Sequence, residues 1–289
     1  MPKIAIGTAN FGMHYGVANS HGMLSKNSVA EILGLAKSLG VTCLDTANAY
    51  GESQKMLGEL GVRDWRVVSK ILSVPQYCED IKYFIRTQID LILSSLKLSE
   101  FETVLVHNSK DLTGEVGYEV YEALDDAKSR GQVEKIGVSI YDPSDLDLIT
   151  SRFQLDVVQA PINVFDNRLQ DSGWLDRLAS MGVEVHARSV FLQGVLLSAI
   201  AQNNDFFKPW KATFEKWNRF AELSGTSALV NCIKHVNSYE KVAFAVVGVD
   251  SAQNLSEVFE AFSERPQRIA KHDFVVDPKL INPASWCIV

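Results

Sequence analysis

Polar residues whose side chains can hold or move a proton stand where short apolar runs of this sequence end. They are Asp45 at the end of VTCLD, Tyr50 in the segment that follows it, Lys70 at the end of RVVSK and His107 at the end of TVLVH. If these runs are neighbouring parallel strands, their carboxyl ends bring a carboxylate, a phenol, an ammonium and an imidazole into one pocket. Such a set can protonate a carbonyl oxygen by general acid catalysis.

The phenol needs help from its neighbours, because its ordinary pKa of about 10 makes it a poor acid at neutral pH. A buried ammonium stabilises the phenolate, so Lys70 is expected to lower the pKa of Tyr50. Asp45 would keep Lys70 charged, and His107 would hold the substrate oxygen by a hydrogen bond. The sequence therefore predicts a catalytic group made of these four residues.

Taken one at a time, most of these residues have an ordinary structural explanation. Asp45 could cap a helix, Tyr50 could pack in a loop, and His107 could be a core imidazole. Lys70 is harder to explain without function, because a lysine that ends a buried strand needs a partner for its charge. The presence of all four favours catalysis.

Short apolar or β-branched runs could form the strands that position these residues. The eight candidates are KIAIGT, VTCLD, RVVSK, TVLVH, KIGVSI, LDVVQA, VEVHARS and FAVVG. Apolar residues three and four apart predict helices between them, among them Ser28–Leu39, Ile81–Leu96, Val116–Ser129, Trp174–Met181 and Leu255–Phe262. Apolar strands that alternate with amphipathic helices are typical of a parallel sheet buried on both faces. Eight such units predict an α/β fold, a single-domain (β/α)8 TIM barrel over residues 1–289.

The connections between these elements follow a pattern with two interruptions. Gly40, Gly131 and Gly182 each stand where a predicted helix would end, and glycine adopts the left-handed turn that ends many helices without a clash. Residues 196–210 form a long connection after the seventh strand, and residues 265–289 form a proline-containing tail. Long excursions beside the active face of a barrel usually cover the substrate, so we expect both regions near the substrate mouth.

Composition and charge narrow the class of protein. Hydrophobic residues make up 46% and charged residues 22% of the chain, as in compact soluble proteins. The net charge of −7 and the lack of a dense Lys/Arg tract argue against binding to nucleic acid or to an anionic membrane. No apolar stretch approaches the length of a membrane helix, and no signal peptide is recognised. Four scattered cysteines without a C-x-x-C pair predict reduced thiols and a cytoplasmic protein.

The sequence resembles the aldo-keto reductase superfamily over nearly its whole length. The motifs that carry the resemblance are, in chain order, IGTANFG, LDTANAYGES, VVSKI, VLVHN, IGVSIYDPSDL and VVQAPINVFDNR. The resemblance implies a barrel that reduces aldehydes or ketones with a nicotinamide cofactor, and it gives the four polar residues the roles described above. Many relatives close the barrel floor with a short N-terminal hairpin, which we expect to be absent because the first strand begins almost at Met1.

The same resemblance implies contacts to the cofactor. Ser139 and Gln159 fall where the family binds the nicotinamide carboxamide, and both can do so by hydrogen bonding. Arg188 stands where an aromatic residue usually stacks on the nicotinamide, and a planar cation can also stack. The other residues expected to bind the cofactor are Thr8, Ser189, Phe191, Gln193, Gly194, Gly248, Asp250 and Asn254.

The choice between the two nicotinamide cofactors depends on the segment after the eighth strand. NADPH is the expected cofactor, bound through neutral donors, and NADH is the alternative. Gly248 and Asn254 stand where many relatives present basic residues to the 2′-phosphate. Asp250 adds a negative charge nearby, and it could either accept hydrogen bonds from ribose hydroxyls or cap the last helix, with the cap as the safer interpretation.

Substrate contacts are expected from aromatic and amide residues near the barrel mouth. The predicted residues are Asn10, Phe11, Asn163, Phe165 and Trp210, with Tyr15 and Trp286 as further candidates. The SYE, RFAEL and NPASW segments resemble those of relatives encoded near surface-polysaccharide genes, which suggests a sugar-derived or nucleotide-linked carbonyl as the substrate. The sequence predicts no particular oligomeric state.

Two other functions are compatible with parts of this pattern. A barrel isomerase or metal-dependent hydrolase could use Asp45, His107 and His186 as ligands, but His186 lies inside the seventh apolar run rather than at its end, so no metal site is predicted. A cofactor-binding regulatory or interaction protein of the same fold is the second alternative, since some members of the family are channel-associated subunits. The complete catalytic group favours the enzyme.

Overall fold

Eight parallel strands form a closed barrel in the computed structural model, which describes residues 3–19, 22–269, 274 and 276–286. The strands are β1 (Lys3–Gly7), β2 (Cys43–Asp45), β3 (Arg66–Ile71), β4 (Phe101–Val106), β5 (Val133–Ser139), β6 (Val157–Pro161), β7 (Glu184–Arg188) and β8 (Val242–Gly248). Each strand pairs with the next in the chain, and β8 closes the barrel against β1 with Gly7 opposite Gly248. The predicted (β/α)8 TIM barrel is confirmed.

Helices follow the strands around the outside of the barrel. They are α1 (Ala9–Gly12), α2 (Lys26–Ser38), α3 (Ser53–Leu60), α4 (Ile81–Leu96), α5 (Lys110–Thr113), α6 (Gly117–Ser129), α7 (Asp145–Arg152), α8 (Arg168–Asp171), α9 (Trp174–Ser180), α10 (Ala199–Gln202), α11 (Lys211–Leu223), α12 (Ala228–Asn237) and α13 (Ala252–Phe262). In the part of the chain that the structure describes, 3-10 helices also cover Asp205–Trp210 and Pro283–Ser285. None of the described helices combines the length and the apolar character needed to cross a membrane.

Helix α4 illustrates how the sequence determines these elements. Its residues Ile85, Ile89 and Ile92 are fully buried, as their spacing of three and four predicts. Burying each such side chain contributes about 1.5–3 kcal/mol. The helix begins after Asp80, whose side chain accepts a hydrogen bond from the backbone N–H of Tyr83 at 2.8 Å. Its bounds agree with the sequence-based prediction at both ends.

The turns that lead from helix to strand also follow the prediction. Gly40, Gly131 and Gly182 have φ values of +75°, +70° and +74°, which place them in the left-handed region. Each turn returns the chain to the N-terminal end of the barrel, from which the next strand runs towards the mouth. The repeated turn therefore brings the carboxyl ends of all strands to one face.

The N-terminal end of the barrel, its floor, is closed by charged side chains. Glu102 accepts hydrogen bonds from Arg66, and Lys135 lies 3.0 Å from Glu102 and 2.8 Å from Glu184. His186 Nε2 lies 2.7 Å from Glu184 Oε1. Among the described residues, which begin at Lys3, β1 is the first element and no hairpin precedes it.

Regions expected to be long excursions are partly ordered as short helices. Residues 196–210 contain α10 and a 3-10 helix, and Phe207 of that helix is fully buried. Leu197 from this region and Pro283 and Ala284 from the tail line the cavity at the mouth. Cys43, Cys78 and Cys232 are free thiols, whereas Cys287 lies outside the described residues.

Candidate active site

Lys70 lies at the centre of the site and is almost fully buried, with 1% of its side chain exposed. The end of β3 places its Nζ 2.6 Å from Asp45 Oδ1, 2.9 Å from the carbonyl oxygen of Thr46 and 3.4 Å from Tyr50 Oη. An ammonium has three N–H donors and no acceptor, so these three oxygens use all of them. The interaction with Tyr50 therefore has Lys70 as donor and the phenol oxygen as acceptor.

Both carboxylate oxygens of Asp45 accept hydrogen bonds. Lys70 donates to Oδ1, and the side-chain amide of Gln159 donates to Oδ2 at 2.7 Å. The backbone oxygen of Asp45 accepts from the hydroxyl of Thr8 at 3.0 Å, which ties the ends of β1 and β2 together. Because both oxygens accept charge-assisted hydrogen bonds, the carboxylate has a fixed orientation.

Tyr50 reaches Lys70 because its loop packs tightly against α1. The backbone N–H of Glu52 donates to the carbonyl oxygen of Gly12 at 3.1 Å. A Cβ atom at Gly12 would lie 2.1 Å from the carbonyl oxygen of Tyr50 and 2.0 Å from the nitrogen of Ser53, so only glycine fits there. The IGTANFG motif thereby contributes to the position of the phenol.

Burial dominates the electrostatics of the phenol and the amine. Burial raises the pKa of Tyr50, and the nearby charge of Asp45 raises it further. Burial lowers the pKa of Lys70, while Asp45 opposes that effect. The sequence-based expectation that Lys70 lowers the pKa of Tyr50 below its ordinary value is therefore wrong, because desolvation disfavours the phenolate more strongly. At neutral pH, Tyr50 keeps its proton.

His107 follows β4 and presents its ring edge to Tyr50. The two ring centroids lie 6.1 Å apart, with an angle of 81° between the ring planes. Burial, followed by the positive charges of Lys70 and Arg188, lowers the pKa of His107 to about 4. The imidazole is therefore neutral at physiological pH and has one N–H available as a donor.

A cavity of about 590 Å³ connects these residues with the predicted cofactor residues. Asp45, Tyr50, Lys70 and His107 all line it. All of the predicted cofactor residues line it as well: Thr8, Ser139, Gln159, Arg188, Ser189, Phe191, Gln193, Gly194, Gly248, Asp250 and Asn254. The volume is typical of sites for small molecules and cofactors.

Arg188 is fixed between the ends of β5 and β7. Its guanidinium donates to the carbonyl oxygen of Ile140 at 2.9 Å, to Ser139 Oγ at 3.3 Å and to Ser189 Oγ at 3.1 Å. It also lies over the ring of Tyr141, 4.0 Å from the centroid. Arg188 therefore has a rigid position in the cavity wall, and Tyr141 is a wall residue that the sequence analysis missed. Its place directly after Ser139-Ile140 at the end of β5 was the available signal.

The segment after β7 has an unusual backbone. Ser189, Leu192 and Gln193 have φ values of +57°, +48° and +53°, which non-glycine residues seldom adopt. The carbonyl oxygen of Gln193 accepts a hydrogen bond from the N–H of Ala18 at 3.5 Å, so this segment touches the loop after α1. Strained backbone of this kind concentrates at ligand sites, and this segment lines the cavity.

The last helix is not capped by Asp250. Ser251 is the N-cap of α13, and its hydroxyl accepts from the N–H of Asn254 at 3.1 Å. Asp250 instead accepts a hydrogen bond from Ser251 Oγ at 3.1 Å and lines the cavity. The interpretation of Asp250 as a helix cap is therefore wrong, because the next residue has the geometry that capping requires.

Most of the predicted substrate residues do not reach the cavity. Asn10 does line it, with its side chain held by the carbonyl oxygen of Val249 at 2.8 Å, and so does Tyr15. Phe11, Asn163, Phe165, Trp210 and Trp286 are absent from the cavity wall.

The reason for this error is that aromatic and amide residues also serve packing. Phe11 is fully buried in the core, and Asn163 uses its side chain for the backbone of Ser189 and Phe165. The ring of Phe165 packs against Phe214, Trp217 and Phe274 in an aromatic cluster. The rings of Trp210 and Trp286 both pack against Phe206.

His186 lies away from the other residues of the hypothetical metal site. Its ring packs against Phe244 inside the barrel, 5.1 Å between centroids, and its Nε2 faces Glu184 towards the floor. Asp45 already uses both oxygens for Lys70 and Gln159. Asp45 and His107 line the cavity, but His186 is not part of its wall.

The barrel and its mouth define a class of protein in which a buried Lys–Asp pair supports a tyrosine in a cofactor-sized cavity. A model of the Aldo/keto reductase family matches residues 3–273, and the chain belongs to this family. It is an oxidoreductase of carbonyl compounds, in a family whose members typically use NAD(P)H.

Individual proteins are similar to this chain in sequence or in fold. The chain is 24% identical over 257 residues to a 6-dehydroglucose reductase of Novosphingobium aromaticivorans, covering 83% of this chain and 82% of that protein. Its fold is similar to an aldo-keto reductase from Bacillus halodurans in its holo form, with a TM-score of 0.71, 16% identity and coverage of 96% and 90% of the two chains. It is also similar to a glycerol dehydrogenase from Gluconobacter oxydans, with a TM-score of 0.68, 17% identity and coverage of 93% and 88%.

Proposed function

We propose that this protein reduces a small, sugar-derived aldehyde or ketone with a nicotinamide dinucleotide, and that Tyr50 donates the proton. One observation carries this proposal: the buried Nζ of Lys70 donates to Tyr50 Oη at 3.4 Å. Because Lys70 occupies a lone pair of the phenol oxygen, the phenol hydrogen points elsewhere and is available to a substrate oxygen in the cavity. Lys70 and Asp45 are the partners that position Tyr50, and His107 is the second group that faces the substrate oxygen.

The raised pKa of Tyr50 is compatible with this role. A general acid must be protonated before the reaction, and burial keeps the Tyr50 hydroxyl protonated at neutral pH. As the proton leaves, the developing phenolate lies beside the Lys70 ammonium, which stabilises it more effectively in a buried site than in water. Asp45 holds that ammonium 2.6 Å away and opposes its deprotonation. The neutral His107 can donate a hydrogen bond to the same substrate oxygen.

The residues of the cavity fit a nicotinamide dinucleotide. When bound, the reduced nicotinamide supplies the hydride that goes to the carbonyl carbon. Ser139 offers a hydroxyl for the carboxamide, and Gln159 offers its carbonyl oxygen and its second amide N–H, because one N–H is used by Asp45. Arg188 presents a rigid planar cation. The segment Ser189–Gly194 lines the cavity and could provide backbone N–H groups for phosphate contacts.

The polar groups near the mouth of the cavity favour a hydroxylated substrate. Besides Tyr50, the wall near the mouth carries the phenols of Tyr15 and Tyr141 and the amide of Asn10. The ring of Tyr15 lies 6.4 Å from that of Tyr50, so a hydroxyl next to the reacting carbonyl would meet a second phenol. Aromatic faces and hydrogen-bonding groups together suit a sugar derivative. The similarity to a 6-dehydroglucose reductase supports the same substrate class.

A substrate screen tests the proposal. Purified protein is mixed with NADPH or NADH and with keto sugars, sugar aldehydes and hydroxyl-free aldehydes of the same length, and the nicotinamide absorbance is followed. Protein with Tyr50→Phe gives the background rate. We expect consumption of reduced cofactor with the hydroxylated carbonyls, with a higher kcat/KM than for their hydroxyl-free counterparts. Tight cofactor binding without turnover of any carbonyl would favour the regulatory role instead.

A further inference from the structure

The charges of the cavity wall are distributed unevenly. In the described part of the wall, the positively charged residues are Lys70, which is paired with Asp45, and Arg188, which is hydrogen-bonded at the end of β5. The segment from Gly248 to Asn254 carries one charged residue, Asp250. A ligand that reaches this segment from the strand ends therefore meets a carboxylate.

Asp250 is exposed and fixed at the cavity edge. It directly precedes Ser251, whose hydroxyl donates to Asp250 Oδ1 at 3.1 Å and caps α13. The second oxygen, Oδ2, remains available to accept further hydrogen bonds. In the described part of the chain, Asp250 takes part in no ion pair that would neutralise its charge.

The orientation of a bound dinucleotide determines which of its groups lies next to Asp250. Hydride and proton reach the same carbonyl group, so the nicotinamide has to lie beside Tyr50. Ser139 and Gln159 at the ends of β5 and β6 would hold it, and the rest of the dinucleotide then continues past β7 to the segment after β8. The adenosine ribose consequently lies at the end of the cavity that contains Asp250.

The ribose differs between the two cofactors in a way that a carboxylate can detect. NADH carries a 2′-hydroxyl, which donates a hydrogen bond to an acidic side chain in many dinucleotide sites. NADPH carries a 2′-phosphate with a charge near −2, which those sites neutralise with an arginine or lysine. A carboxylate beside that phosphate repels it and leaves it without a donor.

We propose that Asp250 makes this protein select NADH over NADPH by accepting hydrogen bonds from the adenosine ribose and repelling a 2′-phosphate. The inference rests on the proposed function, since it requires a dinucleotide in the cavity. It differs from the sequence-based expectation, in which NADPH binds through neutral donors and NADH is the alternative.

Direct binding tests this selection without reference to activity. NADH and NADPH are titrated separately against the wild-type protein and against Asp250→Asn, with quenching of tryptophan fluorescence as the readout. We expect wild-type Kd to be about tenfold or more lower for NADH than for NADPH, as a nearby pair of like charges predicts. Asp250→Asn should weaken NADH binding, strengthen NADPH binding and reduce the ratio of the two Kd values to about one. High salt should reduce the ratio in the wild type, because it screens the repulsion.

A variant of the same helix controls for net charge. Glu257→Gln removes one negative charge from the exposed face of α13, outside the cavity wall, and should leave the ratio unchanged. Equal or tighter binding of NADPH by the wild type, or an unchanged ratio in Asp250→Asn, overturns the selection by Asp250 but leaves the reductase proposal intact. Binding of neither dinucleotide overturns both proposals.

Discussion

The two ends of the barrel both contain charged clusters, but the clusters differ in burial and in balance. At the mouth, Lys70 and Asp45 have 1% and 4% of their side chains exposed, and Lys70 extends its third donor to a neutral phenol. At the floor, Glu102 and Glu184 have 11% and 23% exposed and are shared among Arg66, Lys135 and His186. At the floor, the carboxylates pair with cations of the same cluster. At the mouth, Lys70 also donates a hydrogen bond to Tyr50, which lines the cavity.

This difference suggests that the charges at the floor stabilise the fold, whereas those at the mouth take part in chemistry. Full burial of an ion pair costs several kcal/mol of desolvation per ion, which the attraction of the pair offsets only in part. The cluster at the floor is more exposed to water, so its desolvation cost is lower. The cost at the mouth is consistent with a role beyond stability, since the C-terminal face of a barrel carries the reactive groups in this fold.

The largest expected effect is that of Lys70→Met. Asp45 would remain buried without its cation, so the free energy of unfolding should fall by about 3–5 kcal/mol. The kcat should also fall about 10²-fold or more, because Tyr50 loses the group that stabilises its phenolate. Chemical denaturation and steady-state kinetics measure the two effects.

A double variant separates the two effects of Lys70→Met. Combining it with Asp45→Asn removes the unpaired carboxylate and should restore much of the stability, while activity stays low. Equal stability of the single and double variants would show that the buried charge of Asp45 is not the source of the loss.

At the floor, Glu184→Gln should affect stability alone. The variant loses charge-assisted hydrogen bonds to Lys135 and His186 in a partly exposed site, which predicts a loss of about 1–2 kcal/mol. The kcat should be unchanged, because Glu184 is not part of the cavity wall. Glu134→Gln, at an exposed position near the start of β5, is the matched control and should be neutral. A marked fall in kcat for Glu184→Gln would show that the floor cluster also contributes to catalysis.

The contribution of Glu184 should depend on pH. Hydrogen bonds from His186 and Lys135 lower the pKa of Glu184 from 4.5 to about 2 in the folded protein. Its stabilising effect is therefore fully present above about pH 4.5 and is lost as the pH falls towards 2. The difference in Tm between wild type and Glu184→Gln, measured from pH 7 downwards, should shrink over this interval. A difference that stays constant would contradict the assigned role of Glu184.

The smallest effect is expected from an exposed ion pair. Lys37 and Asp64 lie 3.0 Å apart with 66% and 74% of their side chains exposed. Asp64→Asn should change the free energy of unfolding by less than about 0.5 kcal/mol, because water screens such pairs. A change as large as that of Glu184→Gln, in the same denaturation experiment, would show that the contribution of these charged groups to stability does not depend on their exposure.

The sequence predicted site residues best at the ends of strands. Periodicity located the strands, and each predicted cofactor residue lies in the cavity wall because strand ends and the turns after them converge on one face. The substrate residues were harder to predict. Phe165 and Trp210 have the residue types of a binding site, but aromatic side chains in long connections also pack against each other, and sequence does not distinguish the two.

Electrostatic balance was the second feature that sequence could not supply. The neighbours of Tyr50 were correctly predicted, yet the direction of its pKa shift was not, because desolvation depends on the surrounding packing. The floor network was also missed. Charged residues at the start of otherwise apolar strands, such as Glu102, Lys135 and Glu184, were the available signal.

The central claim is that the hydroxyl of Tyr50 delivers the proton while Lys70 holds its oxygen. The most direct test is the rate of hydride transfer in a single turnover, measured with cofactor-loaded wild type and Tyr50→Phe. The rate is expected to fall by about 10²- to 10⁴-fold while the Kd of the cofactor changes little. A Tyr50→Phe protein that transfers hydride within a few-fold of the wild-type rate would contradict it.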